Sequence, residues 1–220
     1  MSATAGRVAL VKVPGAAVAF TQEATTANGA RTVYTITNSA KSVWDPQVAV
    51  LVETSPNGTT GWATASPSSY ALNRLAGTVT FATPLGAGYF TRVSGSYLPM
   101  SVVAGAKSFT YTLTAAILNS TGFDDAYTSG GFPTKSIGLF DAQGTLARWY
   151  QNPVAGYFRD ALLNATVVVL EFSVNRAVGY DCRIWALLDK QQIAAAVSSL
   201  VDDTIDWQGV PDADGNVVSN

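Results

Sequence analysis

Residues 70–99 show the clearest alternation of apolar and polar positions in the chain. From Gly77 to Phe81 this alternation places Val79 and Phe81 on one face of a pleated strand. A connection rich in proline and glycine follows, and a second alternating run ends at Pro99, which has no N–H to donate to a ladder. The pattern predicts one β-hairpin whose first strand buries Val79 and Phe81.

Further strands are predicted along most of the chain. Three N-terminal runs are expected to form a short antiparallel sheet, and five later runs continue the β structure. The predicted strands are Arg7–Val13, Arg31–Thr37, Gln47–Thr54, Lys107–Leu118, Lys135–Asp141, Thr145–Tyr150, Ala165–Val174 and Tyr180–Leu188. The run Val167–Leu170 has no polar position, which predicts a strand that is covered on both faces and paired with Cys182–Leu188.

One α-helix is predicted near the C-terminus. Asp189 is a candidate cap, and five apolar residues then recur at spacings of three and four, which is typical of an amphipathic helix lying on a sheet. These residues are Ile193, Ala196, Val197, Leu200 and Val201. The tail from Asp202 carries five aspartates and no basic residue, which predicts a segment ordered only against a neighbouring subunit. Deleting residues 202–220 is therefore expected to leave the melting temperature of the monomer nearly unchanged.

The composition favours one β-rich domain. The chain has 220 residues, of which 48% are hydrophobic and 13% charged, and no repeat or linker divides it. We therefore expect a single mainly β domain over residues 1–220, an antiparallel β-sandwich or barrel with one flanking C-terminal α-helix. A mobile leader (about residues 1–6) and an acidic tail (about 202–220) are expected at its ends. No apolar run approaches the roughly 20 residues of a membrane span, so no membrane anchor is expected.

Few residues in the chain indicate catalytic chemistry. Histidine is absent, which excludes Ser-His-Asp and Cys-His sites and the usual zinc sites. The single cysteine, Cys182, favours an intracellular folding site and fits a small buried hydrophobe, while Glu171 is expected to face water or to pair with Arg183. An enzyme would have to use carboxylates such as Asp141, Asp160 and Glu171, whose spacing indicates no acid–base pair. We expect no catalytic residue, no metal and no cofactor.

The net charge of −2 is distributed unevenly along the chain. Residues 1–120 carry a charge of +4, and the remaining hundred residues carry −6. Such an asymmetry suits a subunit that meets copies of itself head to tail. The predicted interface pairs join Asp203 or Asp206 of the tail to basic residues of the N-terminal half, with Arg7 and Lys12 as candidates. The chain has no basic cluster of the kind that sequence-independent DNA binding requires.

A family resemblance also lies between residues 62 and 99. It consists of Trp62, Tyr70–Asn73, Gly77–Phe81 and Val93–Pro99, and it is similar to the hairpin of many phage tail and head–tail proteins. Strands followed by an amphipathic helix and an acidic tail resemble the tail tube (major tail) proteins of long-tailed phages in particular. This resemblance implies a virion structural protein whose subunits form hexameric rings, stacked into a tube that guides DNA out of the virion.

The same resemblance implies the partners and the location of the protein. The partners would be copies of the chain and other tail proteins, with DNA passing through unbound, and the subunits would assemble in the host cytoplasm into the phage tail. A mildly acidic protein suits such a tube, because a tube through which DNA passes should not bind the DNA. The alternative is another phage structural or binding β protein, such as a head–tail connector, a decoration protein or a carbohydrate-binding module. A carbohydrate-binding module would display Trp44, Trp62 and Trp149 on an exposed platform.

Overall fold

In the described part of the chain, the fold consists of two antiparallel β-sheets and one α-helix, which confirms the predicted mainly β class with a sandwich or barrel arrangement. The computed structural model describes residues 9–119, 135–150, 154–175, 177, 179–195 and 200–219, with the backbone alone at 117–119, 135–140 and 154–155. In chain order, the strands are β1 (Leu10–Pro14), β2 (Val18–Ala27), β3 (Val33–Ile36), β4 (Leu51–Ser55), β5 (Ala63–Thr64), β6 (Tyr70–Asn73), β7 (Thr78–Phe81), β8 (Phe90–Tyr97), β9 (Met100–Val102), β10 (Ala106–Asn119), β11 (Lys135–Trp149), β12 (Val168–Ser173), β13 (Cys182–Ala194), β14 (Asp202–Gly209) and β15 (Val218–Ser219). The helix α1 (Val154–Leu163) lies between β11 and β12 in the chain.

The smaller sheet is built from one continuous part of the chain, and the larger sheet from the parts on either side of it. The smaller sheet contains seven consecutive strands in the order β5-β4-β8-β2-β3-β7-β6. The larger sheet takes β1 and the C-terminal half of the chain, in the order β10-β11-β14-β13-β12-β1-β9. β15 pairs with β13 at Arg183 and Ile184, beyond the residues that β14 covers. The smaller sheet is thus an insertion between β1 and β9.

The larger sheet forms its core against α1. Alternate residues of β12, β13 and β14 point into this core, where Phe172 stacks on Trp207 with ring centroids 5.5 Å apart. Phe158 and Ala161, about one helical turn apart, are the buried residues that α1 contributes. Burying a large apolar side chain completely contributes roughly 1.5–3 kcal/mol, so this cluster is a main source of stability.

The smaller sheet has a separate core. Tyr34 and Phe81 meet edge to face with ring centroids 5.6 Å apart, and Trp44 is fully buried beside Phe20. The other buried residues of this cluster are Ile36, Val50, Val52, Val79 and Val93. The burial of Val79 and Phe81 confirms the predicted face of their strand.

Strand β12 joins the two halves because it is buried on both faces. Leu170 and Phe172 lie in the α1 core, whereas Val169 packs with Val43 and Leu75 of the smaller half in a third cluster. β12 pairs with β13 in the register Val168↔Ala186 to Phe172↔Cys182. Both the double coverage and this pairing were predicted from the apolar run.

The predicted hairpin over residues 70–99 is wrong in its pairing. β7 pairs with β3 and β6, whereas β8 pairs with β2 and β4. The connection between β7 and β8 instead folds onto the β2–β3 turn, where Leu85 donates its N–H to the carbonyl of Arg31 and Arg31 Nη2 donates to the carbonyl of Tyr89. Alternation specifies which face of a strand is buried, but it does not specify the partner strand. The three N-terminal runs likewise do not form one sheet, because β1 belongs to the larger sheet while β3 and β4 lie apart in the smaller one.

The predicted C-terminal helix is also wrong. Asp189 and Ile193 belong to β13, which continues to Ala194 in register with β14, and Leu200 and Val201 lie outside any helix or strand. Residues 196–199 lie outside the described residues. Ladder pairing to β14 satisfies the backbone of residues 190–194, and this tertiary pairing overrides the helical spacing.

The acidic tail is an integral part of the fold, which corrects the prediction of a segment ordered by a neighbour. β14 runs between β11 and β13, and Ile205 and Trp207 are fully buried. Beyond it, residues 212–219 connect the two sheets. Asp214 binds Arg74 Nε at 2.7 Å, Asn216 donates to the carbonyl of Leu72 at 2.9 Å, and β15 joins β13.

Candidate assembly surfaces

The edge of the larger sheet formed by β10 is the most prominent candidate surface. β10 pairs with β11 on one side and has no neighbour on the other among the described strands. Its fourteen residues carry one charge, Lys107, and residues 112–116 are exposed on both faces. Leu113 is 52% exposed although it is apolar. Long and nearly uncharged edges are usually avoided by monomeric proteins because they invite pairing with another chain. The ladder of β10 with β11 has register shifts between Ala106 and Ser108 and between Ala115 and Ile117.

The other described sheet edges are much shorter. The larger sheet ends on its far side with β9, which has three residues, and the smaller sheet ends with β5, of two residues, and β6, of four. Short edge strands are one of the ways in which proteins prevent edge-to-edge association. Within the described residues, the contrast singles out β10 as the one long edge without a neighbouring strand.

Asp203, predicted as an interface residue, is instead buried within its own subunit. Asp203 Oδ2 accepts a hydrogen bond from Arg148 Nη2 at 2.6 Å, and both side chains are 0% exposed. Gln191 Nε2 donates to both oxygens of Asp203, and the Arg148 guanidinium lies 5.4 Å from the ring centroid of Phe158. Nε and Nη1 of Arg148 have no partner within the described structure. An ion pair inside the α1 core cannot also be a contact between subunits.

The other predicted interface residues either have a partner in their own subunit or lie outside the described residues. Asp206 accepts a hydrogen bond from Thr145 Oγ1 at 2.9 Å. Lys12 binds Glu171 Oε1 at 2.5 Å within its own subunit, and Arg7 lies outside the described residues. The predicted interface role of Asp203 is therefore wrong, because its carboxylate is buried in an ion pair of its own subunit, whereas the roles of Asp206, Lys12 and Arg7 stay predictions.

Lys12 belongs to a charged network between the two sheets. Glu171 is 1% exposed, and its second oxygen accepts a hydrogen bond from Arg183 Nε at 2.7 Å, which confirms the predicted pair. Arg183 Nη1 then donates to Ser42 Oγ at 2.9 Å and to the carbonyl of Leu75 at 2.7 Å. Buried charges need several partners to offset desolvation, and this network supplies them from both halves of the molecule.

A second candidate surface is a cleft of about 780 Å³ where α1, the β1–β2 turn and the loop after Trp44 meet. We call it the inter-sheet cleft. Its apolar lining includes Leu98 and Trp185, and its carboxylates are Asp45 and Asp160. Burial raises the pKa of Tyr157, which also lines the cleft, to about 12, so its hydroxyl stays protonated.

Arg148 and this cleft were not predicted from the sequence, although part of the signal for Arg148 was present. In the run Thr145–Tyr150, Arg148 shares a face with Leu146, and in the tail Asp203 shares a face with Ile205. Opposite charges on the apolar faces of two strands indicate a buried pair. The cleft had no such signal, because its residues come from segments far apart in the chain.

The tryptophans do not form the platform expected of a carbohydrate-binding module. Trp44 is fully buried, so it cannot contact a glycan. Arg92 stacks on Trp62 with its guanidinium 4.1 Å from the ring centroid, and Lys107 lies 4.0 Å from the ring centroid of Trp149. Each accessible ring therefore already has a cation over it.

The carboxylates proposed for an enzyme occur in separate surroundings. Glu171 is held in the buried network, Asp160 lies on α1 beside Arg159, and Asp141 lines a different cavity beside the middle of the β10–β11 pair. Cys182 is 2% exposed, and burial together with the nearby Asp181 raises the pKa of its thiol to about 11, which fits the predicted buried hydrophobe. In the described part of the chain, no three Cys, Asp or Glu residues are grouped to hold a metal ion, and no helix is long and apolar enough to cross a membrane.

Comparison with solved structures found partial likenesses of fold. The chain is similar to a chain in the tail of an empty GTA particle solved by helical refinement with C6 symmetry, at 11% sequence identity and a TM-score of 0.45. The likeness covers 55% of this chain and 85% of the other. No protein-family model and no curated protein match the sequence. A likeness this distant assigns no function, so the function proposed below rests on this chain's own residues.

Proposed function

We propose that this chain is a tail tube subunit of a long-tailed phage, a virion protein that polymerises as stacked hexameric rings around a passage for DNA. The observation that carries the proposal is the open edge of β10, which is long, nearly uncharged and exposed on both faces over residues 112–116. The sequence resemblance between residues 62 and 99 suggests the class of protein, although its two strands pair with other strands and not with each other. The role is structural, without catalysis and without a cofactor.

The edge of β10 offers backbone hydrogen-bonding groups to a neighbouring subunit. A strand that pairs there gains a ladder of hydrogen bonds and covers apolar side chains such as Leu113. Because β10 would meet a different surface of the next copy, the contact is head to tail, and it closes into a ring when the rotation between subunits allows. Six subunits per ring is the number that the resemblance implies.

The remaining features of the role follow from the same proposal. Other tail proteins would bind the ends of the tube, and DNA would pass through without specific contacts. The net charge of −2 suits such a passage, since a positive lining would retain the phosphate backbone. Assembly would take place in the host cytoplasm, and the mature location would be the phage tail.

A pair of lysine substitutions on β10 tests the proposal. In the variant Thr112→Lys/Thr114→Lys, both new charges lie on the open edge, where a pairing strand would have to bury them. The matched control is Thr35→Lys, an exposed threonine on the internal strand β3. Sedimentation velocity and electron microscopy should show rings or tubes for the wild type and the control, and monomers for the edge variant. Discrete monomers of the wild type at all concentrations, or unchanged assembly of the edge variant, would contradict the proposal.

A further inference from the structure

The chain contains two Asn-Gly pairs, Asn28-Gly29 and Asn57-Gly58. Because glycine has no side chain, it leaves its backbone nitrogen open, and this nitrogen can attack the side-chain amide of the preceding asparagine. The first pair lies in the turn between β2 and β3, and the second lies in the loop between β4 and β5. The fold gives the two pairs similar surroundings at the asparagine amide and different surroundings at the glycine nitrogen.

The side-chain amide of each asparagine is held by backbone N–H groups. Asn28 Oδ1 accepts hydrogen bonds from the N–H groups of Thr32 and Val33, at 3.0 and 3.2 Å. Asn57 Oδ1 accepts from two backbone N–H groups of its own loop, at 3.0 and 2.9 Å, and from two hydroxyl groups. Such donors stabilise the negative charge that develops on Oδ1 when its carbon is attacked. Activation of the amide therefore does not favour Asn28 over Asn57.

The two glycine nitrogens differ in their access to solvent. Gly58 N donates to Ser55 Oγ at 3.0 Å, and Ser55 is 0% exposed. The ring of Phe90 covers Gly58, since a Cβ added there would lie 2.9 Å from this ring. Gly29 is exposed, a Cβ added there would meet no atom within 4 Å beyond its chain neighbours, and its N–H has no hydrogen-bond partner among the described residues. Solvent can remove the proton of Gly29 N, whereas the proton of Gly58 N is held by a buried acceptor.

We propose that Asn28 is a site of self-modification, at which the side-chain amide becomes a carboxylic acid, while the fold preserves the amide of Asn57. Gly29 N loses its proton to water and attacks Asn28 Cγ, and the bond between Cγ and Nδ2 breaks. Ammonia leaves with the proton that water carries to Nδ2, and a cyclic imide remains. Water then opens the imide at either carbonyl, which gives aspartate or isoaspartate. The net reaction consumes water and releases ammonia, without an oxidant or a reductant.

The two products should affect the turn differently. Aspartate keeps an acceptor for the two backbone N–H groups that Asn28 Oδ1 binds. Isoaspartate adds a carbon to the main chain just after Ala27, which pairs with Tyr34 at the end of the β2–β3 ladder. The turn also holds the β7–β8 connection, because Arg31 donates to the carbonyl of Tyr89. Modified protein should therefore contain a form of nearly native stability and a less stable form.

Peptide mapping by mass spectrometry tests the proposal on the full-length chain, incubated at mildly alkaline pH. In the native protein, the acid form should accumulate at Asn28 at least about fivefold faster than at Asn57, which is the effect of a typical hydrogen bond. In concentrated urea, where neither loop is folded, the two sites should react at similar rates. This control separates the effect of the fold from that of the Asn-Gly sequence.

Two variants test the attacking nitrogens one at a time. Ser55→Ala releases Gly58 N and should speed the reaction at Asn57 about fivefold, with no change at Asn28. Gly29→Ala adds a methyl group beside the attacking nitrogen, in open space that the fold tolerates, and should suppress the reaction at Asn28. Circular dichroism checks the fold of both variants, and Gly29→Ala decides the question if Ser55→Ala unfolds.

Three results would overturn the inference. They are equal rates at the two asparagines of the native protein, a native Asn28 that stays an amide although it reacts in urea, and a Gly29→Ala variant that reacts at Asn28 as fast as the wild type. A folded Ser55→Ala variant with unchanged Asn57 would likewise refute the protection of that site. The inference goes beyond the proposed function and does not require assembly, so either can fail while the other stands.

Discussion

Replacing Asp203 by asparagine removes the one counter-charge that the described structure gives to the buried guanidinium of Arg148. Both side chains are 0% exposed, and Nε and Nη1 of Arg148 have no hydrogen-bond partner among the described residues. Removing one member of a buried ion pair typically costs about 3–5 kcal/mol, because the remaining charge stays desolvated. The ring of Phe158 stays in place and offsets about 1–2 kcal/mol at most. We expect Asp203→Asn to lower the free energy of unfolding by about 3–4 kcal/mol.

Urea denaturation followed by circular dichroism measures this loss. With a slope of about 2–3 kcal/mol/M for a chain of this size, the midpoint should fall by about 1.5 M. Asp202→Asn is the matched control, since its ion pair with Lys107 is exposed and should contribute less than about 1 kcal/mol. The double variant Arg148→Met/Asp203→Leu should recover most of the stability, because it removes both buried charges.

Two results would refute this reasoning. The first is an Asp203→Asn variant whose midpoint stays within about 0.4 M of the wild type, which would mean that Arg148 is solvated or neutralised in another way. The second is loss of assembly with unchanged stability of the monomer. That outcome would mean that Asp203 contacts another subunit, as its place in the acidic tail suggested.

Three further predictions concern stability. Phe81→Ala should lower the free energy of unfolding by about 3 kcal/mol or more, and with it the melting temperature, because Phe81 is 5% exposed and contacts Tyr34 edge to face. An unchanged melting temperature would show that Phe81 is not buried. Truncation before Asp202 should abolish cooperative unfolding in a urea titration, since β11 and β13 lose the strand between them; a normal transition would contradict this. The folded thiol of Cys182 has a pKa of about 11 against an ordinary 9.0, so the unfolded thiol ionises first as pH rises. Stability should hold below about pH 8, and ionisation of the unfolded Cys182 thiol should lower it by about 2 kcal/mol between pH 9 and 11. The Cys182→Ala variant should show a smaller decline that begins nearer pH 10, because the raised pKa of Tyr157 remains.

Features that depend on neighbouring residues in the chain could be predicted from the sequence. The buried face of Val79 and Phe81 follows from alternation, and the double coverage of β12 follows from its apolar run. The pair of Glu171 and Arg183 was accessible because β12 and β13 are joined by a short connection and pair in register. In each case the relevant information lies within about fifteen residues.

Features that depend on distant strands were not accessible in the same way. β2 was not predicted, because Phe20 is its one buried residue. This strand pairs with β8, whereas the hairpin prediction had paired β8 with β7. The spacing of apolar residues after Asp189 fits a helix, but pairing with β14 makes the residues up to Ala194 part of strand β13. The actual helix α1 has a start signal in Asn152-Pro153, yet Gly156 lowers its helix propensity. The inter-sheet cleft needs five separate segments, which no local pattern records.

The position of β14 has a consequence for synthesis of the chain. The smaller sheet contains residues 18–97 alone, so all of its strands are available for pairing before the second half of the chain has been translated. The larger sheet lacks its strand between β11 and β13 until residues 202–209 have emerged from the ribosome. Domains generally fold as units during translation, with the N-terminal unit first. The β10 edge therefore belongs to a completed sheet only after translation is nearly finished, and the nascent chain cannot present it in mature form earlier.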